Sequence, residues 1–217
     1  MEDNFNFKNV LDNSSDIKAA YDEMLLALKE RFPSDIQTQK LSIKNFEIGV
    51  LKCLTNKELL VSGEKVNLRR ACIFDADFIS NAEQLPDNSP WVGNWPFWRR
   101  IEKMGDSDFL QTIIEDDSKK SVGFIIFRDI EKKSEFIELK RIAVIEKGKG
   151  YGKGALHLAQ KLAFEIFNAK KLYLHTKTEN IRAQEIYKHT GFTAETADPC
   201  TSFFINAKDY FERYSKP

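Results

Sequence analysis

The chain has 217 residues, which is enough for one domain with a sizeable hydrophobic core and an appendage. It carries 33 Lys and Arg residues against 33 Asp and Glu residues, and this zero formal net charge does not favour a nucleic-acid surface. No apolar run approaches the roughly 20 residues of a membrane-spanning helix, so we expect neither a nucleic acid nor a membrane as a partner.

The first 65 residues are predicted to form an extension of the main domain. Apolar side chains recur here at helical spacing: Ile17, Tyr21, Met24, Leu25 and Leu28. This stripe predicts a helix that Pro33 ends, and a strand is predicted at residues 46–54. Because the stripe must be buried, we expect the helix to pack on the domain or to form a dimer contact, in a monomer or a homodimer.

The main domain is predicted to begin at residue 66 with a strand, followed by a helix that starts near Asp75 and Asp77. A loop-rich stretch at residues 86–100 comes next and contains all three tryptophans, Trp91, Trp95 and Trp98. Aromatic faces can hold a cation or a flat molecule. The alternative is that these rings simply cover the core.

Three strand candidates follow, at residues 109–115, 122–130 and 136–145. Short polar turns join them, and such turns link antiparallel neighbours. A helix predicted at residues 152–168 separates the third strand from a fourth at 172–176, so these two strands should be parallel. A last strand at 201–205 would extend the far edge. The pattern predicts an α/β domain with a mixed, mostly antiparallel sheet flanked by helices.

A glycine-rich loop lies between the third strand and its helix. Gly148, Gly150, Gly152 and Gly154 occupy alternate positions, with lysines interspersed. The free N–H groups and positive dipole end of a helix N-terminus favour an anion, and glycines let the backbone approach it closely. The loop therefore predicts a pocket for a phosphate-bearing ligand. It is too short for a Walker A loop, and it comes too late in the chain for a Rossmann domain.

Two motifs together resemble those of the GNAT acyl-CoA N-acyltransferases. The family loop [QR]-x-x-G-x-[GA] is matched from Lys147 to Gly152, except that Lys replaces Gln or Arg at the first position. The later pattern N-x-x-A-x-x-[LI]-Y-x-x-x-G-F is matched at every defined position from Asn180 to Phe192. The resemblance covers roughly residues 66–205. It implies a GNAT-like fold, acetyl-CoA as co-substrate and transfer of the acetyl group to a primary amine.

The resemblance also implies a set of CoA-binding residues. Backbone groups of Ile142 and Val144 would hold the pantetheine arm as an added strand, and the Ile142 N–H would face the thioester oxygen. The implied set is Ile142, Ala143, Val144, Lys147, Gly148, Lys149, Gly150, Tyr151, Gly152, Lys153, Gly154, Asn180 and Ala183. It includes no metal ligand. The three cysteines are odd in number and widely spaced, which fits neither a zinc site nor a disulfide framework and favours a cytoplasmic setting.

Glu138 and Tyr187 are the candidate catalytic residues. Glu138 lies four residues before Ile142, as the general base does in those family members that use a strand glutamate. Residues four apart on a regular strand point to the same face, so both side chains are expected on one face. The alternative is a solvated strand residue beside Lys140. Tyr187 would be the general acid by its place in the second motif, or a packed helix residue.

In this family the tryptophan stretch lies on the acceptor side, so Trp91, Trp95 and Trp98 are the candidate substrate-binding residues. The acceptor is expected to be a small metabolite, an amino sugar or a protein amino group. The predicted function is acetyl transfer to a primary amine in a ternary complex. The alternative is a non-catalytic acyl-CoA sensor or interaction module on the same fold.

Overall fold

The computed structural model describes residues 58–131, 135–197 and 200–214, together with Leu26 and Glu30, which are helical and exposed. Apart from these two residues, the predicted N-terminal helix and the predicted strand at 46–54 lie outside the described residues. The packing of that helix stays a prediction.

Eight strands of the described chain form a single sheet. They are β1 Leu59–Ser62, β2 Val66–Arg70, β3 Phe109–Asp116, β4 Ser121–Arg128, β5 Phe136–Val144, β6 Lys171–Lys177, β7 Thr193–Ala197 and β8 Cys200–Asn206. Their order is β1-β2-β3-β4-β5-β6-β8-β7, and every neighbouring pair is antiparallel except β5 and β6. The predicted mixed, mostly antiparallel sheet is confirmed. The two strands that precede and follow a helix in the sequence, β5 and β6, are parallel as predicted.

Helices cover both faces of the sheet. They are α1 Ala76–Gln84, α2 Phe97–Gly105, α3 Tyr151–Lys161, α4 Ile181–His189 and α5 Ala207–Tyr214, and α3 continues into a π-helical turn at Leu162–Ile166. One core packs α3 against the sheet, and a second core packs α1 and α2 against its other face. Because both faces are covered, β4 is a continuous buried run from Val122 to Phe127 rather than an alternating strand.

Three predicted features differ from the structure. The strand at 201–205 does not extend the edge: it forms β8, which pairs with β6 on one side and with β7 on the other. The sheet also begins earlier than residue 66, since Leu59 of β1 pairs with Arg69 of β2. The end of the tryptophan stretch is helix α2 rather than loop.

The strands β4 and β5 approach each other closely at Gly123. A Cβ atom at this position would lie 2.4 Å from the backbone oxygen of Ala143. Glycine is therefore required here by the neighbouring strand, and it fixes the position of β5 in the sheet.

Candidate functional site

The parallel strands β5 and β6 separate along their length. Their pairing covers Phe136 to Glu138 of β5 and Lys171 to Tyr173 of β6. Both strands continue beyond the last pair, to Val144 and Lys177. The sheet therefore opens into a split, and one backbone edge of β5 faces it.

The direction of the backbone groups along β5 follows from three hydrogen bonds. The Ile145 N–H donates to the Val122 carbonyl of β4, at 2.9 Å. The Val144 carbonyl instead accepts from the Asn88 Nδ2 at 3.2 Å and from the Lys147 Nζ at 2.9 Å. Because successive residues of a strand turn their N–H and C=O groups to opposite sides, Ile142 and Val144 turn theirs towards the split.

A cleft of about 900 Å³ occupies the split. Of the predicted residues, its walls include Trp91, Ile142, Ala143, Val144, Lys147, Gly148, Gly150, Tyr151, Gly152, Lys153, Asn180, Ala183 and Tyr187. Lys149, Gly154, Glu138 and Trp95 are not among the lining residues. Lys149 is exposed and pairs with Glu146. Trp98 lies on α2, and its side chain is outside the described part.

The glycine loop brings the N-terminus of α3 to the cleft. Gly148 and Gly150 both have φ of 82°, a conformation that a side chain would strain, and Gly150 is the N-cap of α3. A Cβ atom at Gly152 would have no atom of the described chain within 4 Å. A Cβ atom at Gly154 would lie 3.0 Å from Val66 Cγ2. Gly154 thus serves the packing of α3 on β2, whereas the open side of Gly152 faces the cleft.

Lys147 replaces the Gln or Arg of the family pattern and is held by the strand end and by Asn88. Its Nζ lies 2.5 Å from the Asn88 Oδ1 and 2.9 Å from the Val144 carbonyl. Burial lowers the pKa of Lys147, nearby Arg182 adds to this effect, and Asp87 opposes it. Asn88 is buried and also donates to the Ala82 carbonyl of α1 at 2.8 Å, so together with its bond to Val144 it links α1 to β5.

Tyr187 lies on α4 beside the cleft. Its ring packs against Phe192 and Phe203, and 8% of the residue is exposed. Burial raises the pKa of Tyr187 to about 12, so its phenol is protonated at neutral pH. On the same helix, Asn180 accepts a hydrogen bond from the Ala183 N–H at 3.3 Å and is the N-cap, as expected of that residue type.

Glu138 does not share a face with Ile142, so that expectation is wrong. In the pairing of β4 with β5, Ile126 faces Arg141 and the next residue, Phe127, faces Leu139. Lys140 is therefore an extra residue, a β-bulge that reverses the alternation of side chains. Glu138 consequently shares the α1 and α2 face with Arg141, while Ile142 lies on the opposite face.

Glu138 is held in an ion-pair cluster. The carboxylate lies 2.5 Å from the Arg128 Nη2 and 3.4 Å from the Lys140 Nζ, and the residue is 3% exposed. It is neither a solvated strand residue nor a wall of the cleft. Any proton transfer between Glu138 and a molecule in the cleft would therefore need a bridging water.

Trp91 and Trp95 occupy different environments. Trp91 is 41% exposed and lines the cleft. Trp95 packs against the second core, with its ring 4.1 Å from the Arg141 guanidinium and 6.0 Å from the Phe109 ring. Trp95 is therefore a packing residue with a cation–π contact to a cleft residue.

Arg141 is a cleft residue that sequence reasoning missed. Its Nη1 donates to the Glu83 Oε1 at 2.7 Å, and the Arg100 Nη2 donates to the Glu83 Oε2 at the same distance. Glu83 and Arg100 are fully buried, and burial lowers the pKa of both arginines while Glu83 opposes this effect. Glu83 precedes Arg141 by 58 residues, so no local pattern could have linked them.

The described chain offers neither a metal-binding cluster nor a membrane-spanning helix. Its His, Cys, Asp and Glu residues include no group of three or more that could hold a metal ion. None of its helices is long and apolar enough to cross a membrane. Cys72 is buried and Cys200 is exposed, and neither forms a disulfide within the described chain.

The fold and the cleft define a class of protein. A family model described as "Acetyltransferase (GNAT) domain" matches residues 66–193, more than half of the chain. The chain belongs to the GNAT acetyltransferase family.

Curated relatives match part of the chain. The spermidine N(1)-acetyltransferase of Vibrio cholerae is 31% identical over 97 residues, which are 44% of this chain and 56% of the relative. The spermidine N(1)-acetyltransferase of Escherichia coli K12 is 32% identical over 98 residues, 44% of this chain and 51% of the relative. An N-alpha-acetyltransferase of Sulfurisphaera tokodaii is 26% identical over 143 residues, which are 60% of this chain and 81% of the relative. The chain thus spans about half the length of the two spermidine acetyltransferases.

Solved structures share the fold. A Vibrio cholerae spermidine N-acetyltransferase in complex with CoA and spermine has a TM-score of 0.60 at 21% identity, covering 69% of this chain and 99% of that chain. A dodecameric structure of the same Vibrio cholerae enzyme has a TM-score of 0.58 at 21% identity, covering 70% and 99%. At this identity the likeness concerns the fold alone.

Proposed function

We propose that the protein is an N-acetyltransferase that moves an acetyl group from acetyl-CoA to a primary amine, directly and within a ternary complex. One observation carries the proposal: a single cleft joins an uncapped helix N-terminus, an exposed strand edge and a buried tyrosine. These are the groups needed to hold a pyrophosphate, a peptide-like pantetheine arm and a leaving thiolate.

The cofactor would lie along the split. The first-turn N–H groups of α3 would bind the pyrophosphate, close to the open side of Gly152. The pantetheine amides would pair with the β5 edge at Ile142 and Val144. An N–H donor at the thioester oxygen would act as an oxyanion hole, a contribution of about 3 kcal/mol in known cases.

Transfer then needs proton movements at the amine and at the sulfur. The neutral amine nitrogen forms a bond to the acetyl carbon while the carbon–sulfur bond breaks and its electron pair leaves on sulfur. The Tyr187 phenol gives its proton to that thiolate. Before this attack the acceptor is an ammonium ion near neutral pH, and it loses one proton to a base, which we propose to be Glu138 acting through one water on the acceptor face. The proton that the nitrogen loses on forming the amide restores the Tyr187 phenol.

The donor site is tested by thermal unfolding with and without CoA. CoA should raise the melting temperature by mass action. Gly150→Asp should remove most of this shift, because it places a carboxylate at the helix N-terminus. Gly150→Asn is the matched control, since Asn has the same shape, tolerates positive φ and carries no charge. Equal CoA shifts in Gly150→Asp and the wild type would place the site elsewhere.

The transferase activity is tested by free thiol release from acetyl-CoA with a panel of amines. The second candidate, a non-catalytic acyl-CoA-binding module, is favoured by the ion pairs that hold Glu138 away from the cleft wall. It predicts CoA binding without thiol release for any amine, including proteins with free amino groups.

The acceptor and the assembly are also proposals. The relatives named above act on spermidine or on N-alpha amino groups, and both are primary amines. We propose a monomer or a homodimer. Light scattering of the full chain would distinguish these from a dodecamer like that of the structural relative.

A further inference from the structure

Cations neutralise two buried carboxylates on the acceptor face of the cleft. Glu83 and Glu138 are buried carboxylates on this face, and each is shared by two cations. Glu83 pairs with Arg100 and Arg141, and Glu138 lies between Arg128 and Lys140. Among the described residues, both carboxylates are thus already engaged in ion pairs.

Two cations of this group line the cleft, Lys140 and Arg141. Lys140 is exposed at the bulge, whereas Arg141 is largely buried and has hydrogen-bond donors to spare. Its side chain is 11% exposed and lines the cleft. Within the described part of the chain, Glu83 is the one residue that accepts a hydrogen bond from the Arg141 side chain, and only the Nη1 group donates to it. Nη2 points towards Gly93, where a Cβ atom would lie 3.2 Å away, and Gly93 also lines the cleft.

The guanidinium is held in a fixed orientation. The guanidinium donates a hydrogen bond to the Glu83 carboxylate, and the centre of the Trp95 ring lies 4.1 Å from it. Arginine held in this way is suited to bind a carboxylate through parallel hydrogen bonds. The small residue Gly93 leaves the approach to Nη2 open.

The carboxylates that do line the cleft lie elsewhere. They are Asp87, Glu146 and Glu179. Glu146 belongs to the glycine loop and pairs with Lys120 and Lys149, Asp87 lies near Lys147, and Glu179 follows the end of β6. All three are thus at the carboxyl end of the split, on the side proposed for the pyrophosphate.

We propose that the acceptor is an amine that also carries a carboxylate, which Arg141 binds, and that a polyamine is a poor acceptor. This inference rests on the proposed acetyl transfer. It assigns Arg141 as a specificity-determining residue and Gly93 as the residue that gives access to it.

The test compares acceptors matched in length. Free thiol release from acetyl-CoA is followed with ω-amino acids of two to six carbons, with the n-alkylamines of the same length, and with spermidine. A charge-assisted hydrogen bond contributes about 1.5–3 kcal/mol, so we expect kcat/KM to be about 10- to 100-fold higher for the best amino acid than for its alkylamine. Spermidine should resemble the alkylamines.

Three variants locate the effect. Arg141→Gln should remove the preference, because it should raise the KM for the amino acid much more than the KM for the alkylamine. Gly93→Ala should weaken the preference without removing a charge, and it serves if Arg141→Gln folds poorly beside the buried Glu83. Arg70→Gln is the control, because it removes an arginine of β2 that pairs only loosely with Glu58, at 3.8 Å.

The outcomes separate this inference from the proposed function. Acetylation of spermidine in preference to the amino acids, or an equal rate with all amines, would overturn the inference and leave the transferase function standing. If no amine is acetylated, the transferase function fails. The carboxylate site is then read from binding: an ω-amino acid should add to the melting-temperature rise of the CoA complex, and equal shifts with the alkylamine would overturn the site.

Discussion

The Lys177 Nζ at the end of β6 donates a hydrogen bond to the Pro90 carbonyl, at 2.9 Å. The same loop is tied to the end of β5 by the contact of Asn88 with Val144. The loop therefore bridges the two strands where the split between them is open. It carries Trp91 to the cleft and leads directly into the segment that holds Trp95.

The two tryptophans should respond differently to truncation. Trp91→Ala should raise the acceptor KM with little loss of stability, because Trp91 is exposed and lines the cleft. Trp95→Ala should lower the free energy of unfolding by roughly 1–3 kcal/mol, less than the 3–5 of a fully buried aromatic side chain. Steady-state kinetics and denaturant unfolding of both variants check this. A stability loss in Trp91→Ala as large as in Trp95→Ala would contradict the assignment.

Gly152 and Gly154 form a matched pair on α3. Gly152→Ala should keep or raise the stability of the free protein, because the new Cβ meets no atom of the described chain and Ala favours helix. It should weaken CoA binding, since its Cβ enters the cleft.

Gly154→Ala should do the reverse: its Cβ is crowded by Val66, so the protein loses stability while the folded form still binds CoA. Thermal unfolding and calorimetric titration with CoA distinguish the two. Wild-type CoA affinity in Gly152→Ala would be inconsistent with the proposed pyrophosphate position.

Tyr187→Phe should remove the general acid while keeping the ring that packs against Phe192 and Phe203. A general acid contributes typically ~10²–10⁴-fold, so kcat should fall within this range while both KM values change little. Tyr210→Phe is a control, because Tyr210 is also buried but its hydroxyl donates to Glu165, outside the cleft lining. An unchanged kcat in Tyr187→Phe would leave Tyr187 as a packing residue.

The raised pKa of Tyr187 predicts an alkaline loss of stability. Its pKa is about 12 in the folded protein and about 10 in the unfolded chain, so the folded state holds this proton more tightly. The corresponding stability is complete below pH 10 and is lost as the pH rises towards 12. One pKa unit corresponds to about 1.4 kcal/mol, so the loss is on the order of 2–3 kcal/mol. Tyr187→Phe lacks this loss, so the unfolding free energy of the wild type should fall relative to that of the variant between pH 10 and pH 12.

Glu138→Gln should lower kcat with acetyl-CoA binding nearly intact, because it removes the proposed base. An acceptor amine of low pKa needs no base and should restore the rate. Glu115→Gln is the matched control: Glu115 is a strand carboxylate that pairs with the buried Arg69 at 2.6 Å, outside the cleft lining. Equal stability losses in both variants, with wild-type kcat across the pH range, would restrict Glu138 to its ion pairs with Arg128 and Lys140.

Features set by local chemistry were predictable from the sequence. Alternate glycines before an apolar helix stripe gave the loop and α3, and Asn180 marked the start of α4. The intervening helix was enough to make β5 and β6 parallel. Helix α2 was missed although a signal exists, since Phe97, Ile101 and Met104 recur at three- and four-residue steps.

Features set by distant contacts were not predictable in this way. The bulge at Lys140 is different, because the sequence shows it: the apolar positions of one face change from 137 and 139 to 142 and 144. The prediction for Glu138 did not take this change of parity into account. Trp95 looked like a ligand-binding residue because its partner, Arg141, lies 46 residues later and meets it only in the fold. The ion pair of Glu83 with Arg141 depends in the same way on the packing of α1 against β5.

Gly123 of β4 affects the width of the cleft between β5 and β6, although it does not line that cleft. Any side chain there would press on the Ala143 oxygen and displace β5 away from β4. Since β6 lies on the other side of β5, this displacement would narrow the opening between β5 and β6. The space available to a narrow ligand such as the pantetheine arm therefore depends on the absence of a side chain at Gly123.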